Sequence, residues 1–196
     1  MAYITFIIPT LGRKTLTRAL KSIQLQKDAD WKAIIVFDGI KCNLPEDYLI
    51  DKFQIVEINK SGKEIGNLSQ AGQVRNHAFD LVDSEWIGFL DDDDYLRDNY
   101  ITCLREEDTN DLELILFRML TNKVTPSYGI NTIQHNEAGI SFAIKNSTIK
   151  RHNARFVNDT SEDYKFLKDL ENKGVKYKVS EHITYDVCRN HPDKYQ

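Results

Sequence analysis

The chain is poor in several things that would have decided its class at once. It has three cysteines in 196 residues, Cys42, Cys103 and Cys188, odd in number and widely spaced. That excludes a disulfide-stapled scaffold and fits a reducing, cytoplasmic compartment. No apolar run approaches the length of a membrane span. The start, Met1-Ala2-Tyr3-Ile4-Thr5, lacks the basic flank and cleavage site of a secretory signal. The triplets at Asn67, Asn146 and Asn158 are therefore read as chance matches to the glycosylation pattern. There is no surplus of basic residues: the net charge is −4 and the lysines are scattered, so no nucleic-acid footprint is present. Internal repeats, low-complexity tracts and an obvious linker are also missing.

What remains is the composition of a globular domain, 41% apolar and 29% charged. Ile4 to Ile8, Ala33 to Phe37, Phe53 to Ile58 and Trp86 to Leu90 are short apolar runs that read as buried strands. Thr15 to Gln26 and Ser69 to Val82 carry apolar residues at helical spacing, the second with Ala71, Val74, Ala78 and Leu81 on one face. Gly62 and Gly66 mark a loop between. Strands alternating with helices predict βαβ units and a mostly parallel sheet with helices on both faces. The second half is less regular. Leu112 to Met119, Gly139 to Ile144 and Lys176 to Val179 read as strands, and Glu162 to Lys173 as a helix.

The feature that points to chemistry is Asp91-Asp92-Asp93-Asp94, directly after the fourth strand. Adjacent carboxylates repel, by roughly 1 kcal/mol per pair at about 4 Å even in water. A divalent cation would relieve that cost, and oxygen ligands suit Mn²⁺ or Mg²⁺. If the extended backbone continues past Leu90, Asp91 and Asp93 share one face and Asp92 and Asp94 the other. A solvated acidic turn, with Asp94 or Asp98 capping the next helix, is the plainer alternative.

The ordered set of motifs resembles the family 2 glycosyltransferases with the GT-A fold, over almost the whole chain. Ile7-Ile8-Pro9-Thr10 with Arg13 is similar to the family's opening segment. Ile34 to Gly39 resembles its second strand, with Phe37 in place of the first of two acids. Val74-Arg75-Asn76 resembles its Ala-Arg-Asn helix, and Asp91 to Asp94 its Asp-x-Asp motif. Glu162-Asp163 resembles the acid pair opening the acceptor-side helix, and Cys188-Arg189-Asn190-His191 the Tyr-Arg-x-His segment.

The resemblance implies a Rossmann-like α/β GT-A domain spanning 1–196. Residues 1–95 would form the nucleotide-sugar half and 96–196 an irregular acceptor-side half, in what is expected to be part of a larger protein with further domains. It implies inverting, metal-dependent transfer from a UDP-sugar to a hydroxyl of a glycan or other acceptor. Pro9, Thr10 and Arg13 would line the nucleotide pocket, Asp38 would meet the base, and Asp92 the ribose. Arg75 would face the nucleotide or else pair with the acid cluster. Asp93, with Asp91 and His191, would hold the metal. Asp163 would be the base, with Glu162 supporting it. A non-catalytic sugar-nucleotide-binding module and a sugar-phosphate nucleotidyltransferase are the alternatives. The second would be expected to have a glycine-rich loop where Pro9-Thr10-Leu11-Gly12-Arg13 stands.

Overall fold

In the computed structural model, residues 1–61, 71–109 and 111–188 are described, together with the backbone of Glu64–Ile65 and Leu68–Ser69. The expected loop at Gly62 and Gly66 lies outside them.

The chain opens with strand β1 (Ile4–Thr10), helix α1 (Leu16–Gln24), strand β2 (Trp31–Asp38) and strand β3 (Phe53–Ile58). All seven residues of β1 are buried, Thr5 and Thr10 included, as a largely apolar strand covered on both faces requires. Leu16, Ala19, Leu20 and Ile23 form the buried stripe of α1. Two short strands, β4 (Glu64–Ile65) and β5 (Leu68–Ser69), pair with each other. Helix α2 (Gly72–Asn76) then leads to strand β6 (Trp86–Phe89). The order β3-β2-β1-β6 is parallel throughout.

The remaining elements are β7 (Tyr95–Leu96), α3 (Tyr100–Glu107), β8 (Leu114–Leu120), β9 (Val124–Thr125), β10 (Phe142–Lys145), α4 (Asn146–His152), α5 (Glu162–Asn172) and β11 (Tyr177–Asp186). They extend the same sheet as β10-β8-β11-β7, with β9 on β8. Here β10 runs antiparallel to both neighbours, while β8 and β11 are parallel. The α/β class holds, and the parallel rule describes the first half of the sheet.

Two expected elements differ. The helix read over Ser69 to Val82 is only Gly72–Asn76, followed by a 3-10 turn at Phe79–Leu81. The side chain of Asn76 clamps the backbone of Phe156, accepting its N–H and donating to its carbonyl, both at 2.9 Å. Beyond it the bonds tighten to i→i+3, as in Leu81 N–H to the Ala78 carbonyl at 3.0 Å. The tighter turn rotates Leu81 outward to 43% exposure and brings Phe79 and Val82 into the core. The last strand, read as four residues, runs for ten, through a polar stretch whose register shifts against β8.

From β1 the chain crosses to β2 on one side, and β6 lies on the other. The crevice at the carboxyl ends of β1 and β6 is therefore a topological switch point, where open α/β sheets bind ligands. Thr10 ends β1 and Asp91 follows β6, so the acid cluster is placed there by topology alone.

Candidate active site

A cleft of about 730 Å³ opens at this switch point. Pro9, Thr10, Arg13, Asp38, Arg75, Asp91, Asp92, Asp93, Glu162 and Asp163 all line it. Two acid groups more than sixty residues apart in sequence are thus brought to one cavity.

The acid segment is a turn rather than a continued strand: Asp94 N–H donates to the Asp91 carbonyl at 3.1 Å. The expected alternation of faces is lost. Asp91, Asp93 and Asp94 instead offer carboxylate oxygens within 4.8 Å of one another. Asp94 does not cap a helix, since Asn99 precedes α3. It is buried and accepts Tyr185 Oη and Cys188 N–H, each at 2.9 Å. Burial and the Asp91 charge push its carboxyl up to about 7. Tyr185 Oη also accepts Asp91 N–H at 3.1 Å, so one fully buried phenol braces both ends of the turn.

Asp92 is held differently. It accepts Thr10 Oγ1 at 2.7 Å and Arg13 Nη1 at 3.2 Å, and burial raises its carboxyl. Thr10 Oγ1 in turn accepts Gly12 N–H at 2.9 Å. Gly12 has φ +71°, and a Cβ there would lie 2.4 Å from Ile40 Cδ1, so only glycine closes this turn. Arg13 is 44% exposed and also reaches Asp93 at 3.1 Å. Arg18 Nη2 donates to the Asp93 carbonyl at 2.6 Å.

Asp38 ends β2 on the cleft wall. It accepts Ser61 N–H at 2.6 Å and pairs with Lys60 at 3.3 Å.

Arg75 joins the two acid groups. Its side chain is 2% exposed; it donates to Asp91 and, at 3.0 Å, to Glu162, and Asp163 lies 3.7 Å away. Of its two expected roles, these contacts show the ion pair. Burial would lower its pKa, but the three acid charges hold it above the ordinary value. The approach of Glu162 depends on Gly72, whose N–H donates to it at 2.9 Å. A Cβ on Gly72 would stand 2.6 Å from Glu162 Oε2.

Asp163 and Glu162 open α5. Phe166, three and four residues on, stacks on Phe156 at 4.2 Å and on Phe142 at 5.8 Å. This aromatic cluster fixes the rotation of α5 and so aims its first turn at the cleft. Asp163 Oδ1 is buried with no hydrogen-bond partner among the described residues. Burial pushes its carboxyl up to about 7; Arg75 opposes this, and Asp91 and Glu162 reinforce it. The side chain is still 28% exposed, toward the cleft.

A stability consequence follows for the metal-free protein. Unfolded, Asp163 ionises near 3.8; folded, near 7. Between these values the folded chain binds the proton more tightly, so stability should fall as pH rises from about 4 to 7. Asp94 acts in the same sense. Thermal melts from pH 5 to 8 should show this decline, with a shallower slope in Asp163→Asn; an identical slope in the variant would contradict it.

His191 and Arg189 lie outside the described residues. The residues in place nonetheless fit a divalent cation: hard carboxylate oxygens gathered at a strand end, five acids sharing the guanidiniums of Arg13 and Arg75. Tyr185 and Arg18 were not singled out in the sequence. Neither has a local pattern, since each acts across the fold on a turn 75 or more residues away in the chain.

The sequence matches the profile of glycosyl transferase family 2 over residues 5–155, and the chain belongs to that family. Among solved structures it is similar to Staphylococcus aureus TarS 1–349 in complex with UDP-GlcNAc, at 18% identity and TM-score 0.72, over 95% of this chain and 58% of that one. It is also similar to the mannosyltransferase PcManGT from Pyrobaculum calidifontis in complex with GDP-Man and Mn²⁺, at 12% identity and TM-score 0.66, over 98% and 58%. At such identities the likeness establishes the shared GT-A fold. The chain spans 58% of the length of each. No curated protein matches it by sequence. Among the described residues, no helix is long and apolar enough to cross a membrane.

Proposed function

We propose that the chain transfers a sugar, with inversion, from a UDP-sugar to a hydroxyl of a glycan or other acceptor. The observation that carries this reading is the cleft that holds both an acid turn and a separate, half-buried carboxylate of raised pKa. Family membership and the UDP-GlcNAc bound by TarS support it.

The diphosphate belongs at the acid turn, with Pro9, Thr10 and Arg13 beside it, Asp38 toward the base and Asp92 toward the ribose. Asp91 and Asp93 would hold Mn²⁺ or Mg²⁺, joined by His191 from the C-terminal segment. When bound, the cation would act as a Lewis acid on the charge of the diphosphate. Asp94, tied back by Tyr185 and Cys188, keeps the turn in shape.

Asp163 takes the proton of the acceptor hydroxyl. A carboxylate near 7 is suited to this task at neutral pH, because a large fraction is ionised and that form is still basic. The freed oxygen attacks the anomeric carbon opposite the departing diphosphate, which gives inversion. Glu162, anchored to Gly72 N–H and Arg75, sets the position of α5.

Binding to the native state raises its melting temperature. UDP with Mn²⁺ should therefore stabilise the wild type, and UDP with a chelator much less. Asp93→Asn should lose the metal-dependent part. Equal stabilisation of wild type and variant would remove Asp93 from the metal.

A further inference from the structure

A second cluster lies on α3 and β11, and none of its residues lines the cleft. Cys103 and Glu106 stand one turn apart on α3, and His182 comes from β11. Their Sγ, carboxylate oxygen and ring nitrogen lie within 4.8 Å of one another. Two features aim His182 there. The β11–β8 ladder shifts register between Val179 and Ile183, and His182 N–H donates to Ser180 Oγ at 3.1 Å. Such an irregularity turns a side chain out of the regular alternation. Glu107 approaches the same nitrogen, 3.9 Å from His182 Nε2, and is itself held by Lys178 and by Ser180 Oγ at 2.9 Å.

We propose that Cys103, Glu106 and His182 form a metal site for Zn²⁺ or a similar borderline cation, separate from the cleft. The donor set selects the ion: thiolate with imidazole suits Zn²⁺, whereas Mg²⁺ and Mn²⁺ prefer oxygens alone. The spacing is compatible. Tetrahedral Zn²⁺ with bonds of about 2.0–2.3 Å places its donor atoms roughly 3.3–3.7 Å apart. His182 Nε2 and Glu106 Oε2 already stand at 3.5 Å. Their side chains are 40% and 59% exposed, so both are able to close on Cys103, whose thiol is fixed in the core. Water supplies the fourth position. Binding releases the Cys103 proton to solvent, and the bound ion bridges α3 to β11.

Co²⁺ is the probe, because a cobalt–thiolate bond gives a near-ultraviolet charge-transfer band that the cysteine-free cleft lining cannot produce. Titrated into the wild-type chain with excess Mg²⁺ to occupy the oxygen-lined cleft, Co²⁺ should produce the band with one equivalent, and Zn²⁺ should remove it. Cys103→Ala should abolish it. His182→Ala and Glu106→Gln, at exposed positions that tolerate change, should each weaken Co²⁺ binding by about tenfold or more. No band in the wild type, a band that survives Cys103→Ala, or unchanged affinity in both His182→Ala and Glu106→Gln overturns the site. If Cys103→Ala fails to fold, the two exposed variants decide alone. Since neither lies in the cleft, the outcome is independent of the transferase reading.

Discussion

Asp163→Asn should lower sugar transfer by about 10²–10⁴-fold, the usual contribution of a positioned general base. Stabilisation by UDP with Mn²⁺ should survive, because Asp163 touches the donor side only through Arg75, at 3.7 Å. The fold should survive as well: replacing the carboxylate removes a charge that its half-buried site disfavours, and Arg75 keeps Asp91 and Glu162. The pH profile gives an independent check. In the wild type, kcat/KM should rise tenfold per unit on the acid side and level off at or below about pH 7, as Asp163 loses its proton, because a cation at Asp91 offsets part of the charge that raises it. The residual activity of the variant should lack that limb. Wild-type turnover in Asp163→Asn would sink the assignment of the base.

The second large effect is on stability. Arg75→Ala should cost about 3–5 kcal/mol, the penalty for breaking a buried ion pair and leaving its partners uncompensated. For a domain of this size that corresponds to a fall in melting temperature of roughly 6–20 °C. Three acids depend on this one guanidinium, which is 2% exposed. The loss should be greatest near pH 8, where the raised carboxyls of Glu162 and Asp163 are both ionised. It should shrink toward pH 5, as the acids with raised pKa take up protons and no longer repel. A loss below about 1 kcal/mol, or one that does not change with pH, would show that the site does not rest on Arg75. Arg75→Lys should recover only part, since an ammonium lacks the planar fork that reaches two carboxylates at once.

The parts of the fold legible in the sequence are those in which one physical signal dominates. Ile4 to Ile8, Ala33 to Phe37 and Trp86 to Leu90 are dominated by apolar residues, and each holds a buried strand that pairs in parallel with a neighbour. The acids at Asp91 to Asp94 and Glu162-Asp163 stand out against such runs, and all of them except Asp94 reach the cleft wall. What stayed hidden depends on partners far along the chain. Residues Ala78 to Leu81 fit a helix locally, yet Asn76 is captured by Phe156 and the turn tightens. The direction of β10 is set by the strands it fills in between, not by its four residues. Strand β11 crosses Ser180, Glu181 and His182, where its register shifts, and regains its pairing with β8 at Ile183, although its polar sequence argues for an end. The brace from Tyr185 to the acid turn spans 91 residues and has no sequence signature at all. Arg75 was legible as a charged residue between core positions, with two roles open; its three acid contacts needed the assembled cleft.

The most direct measurement of the central claim is nucleotide release. The wild-type chain, supplied with a panel of UDP-sugars and Mn²⁺, should liberate UDP from at least one donor, and chelation of the metal should stop it. If no UDP-sugar is consumed and no uridine nucleotide with metal stabilises the fold, the cleft between the acid turn and Asp163 is not a UDP-sugar site.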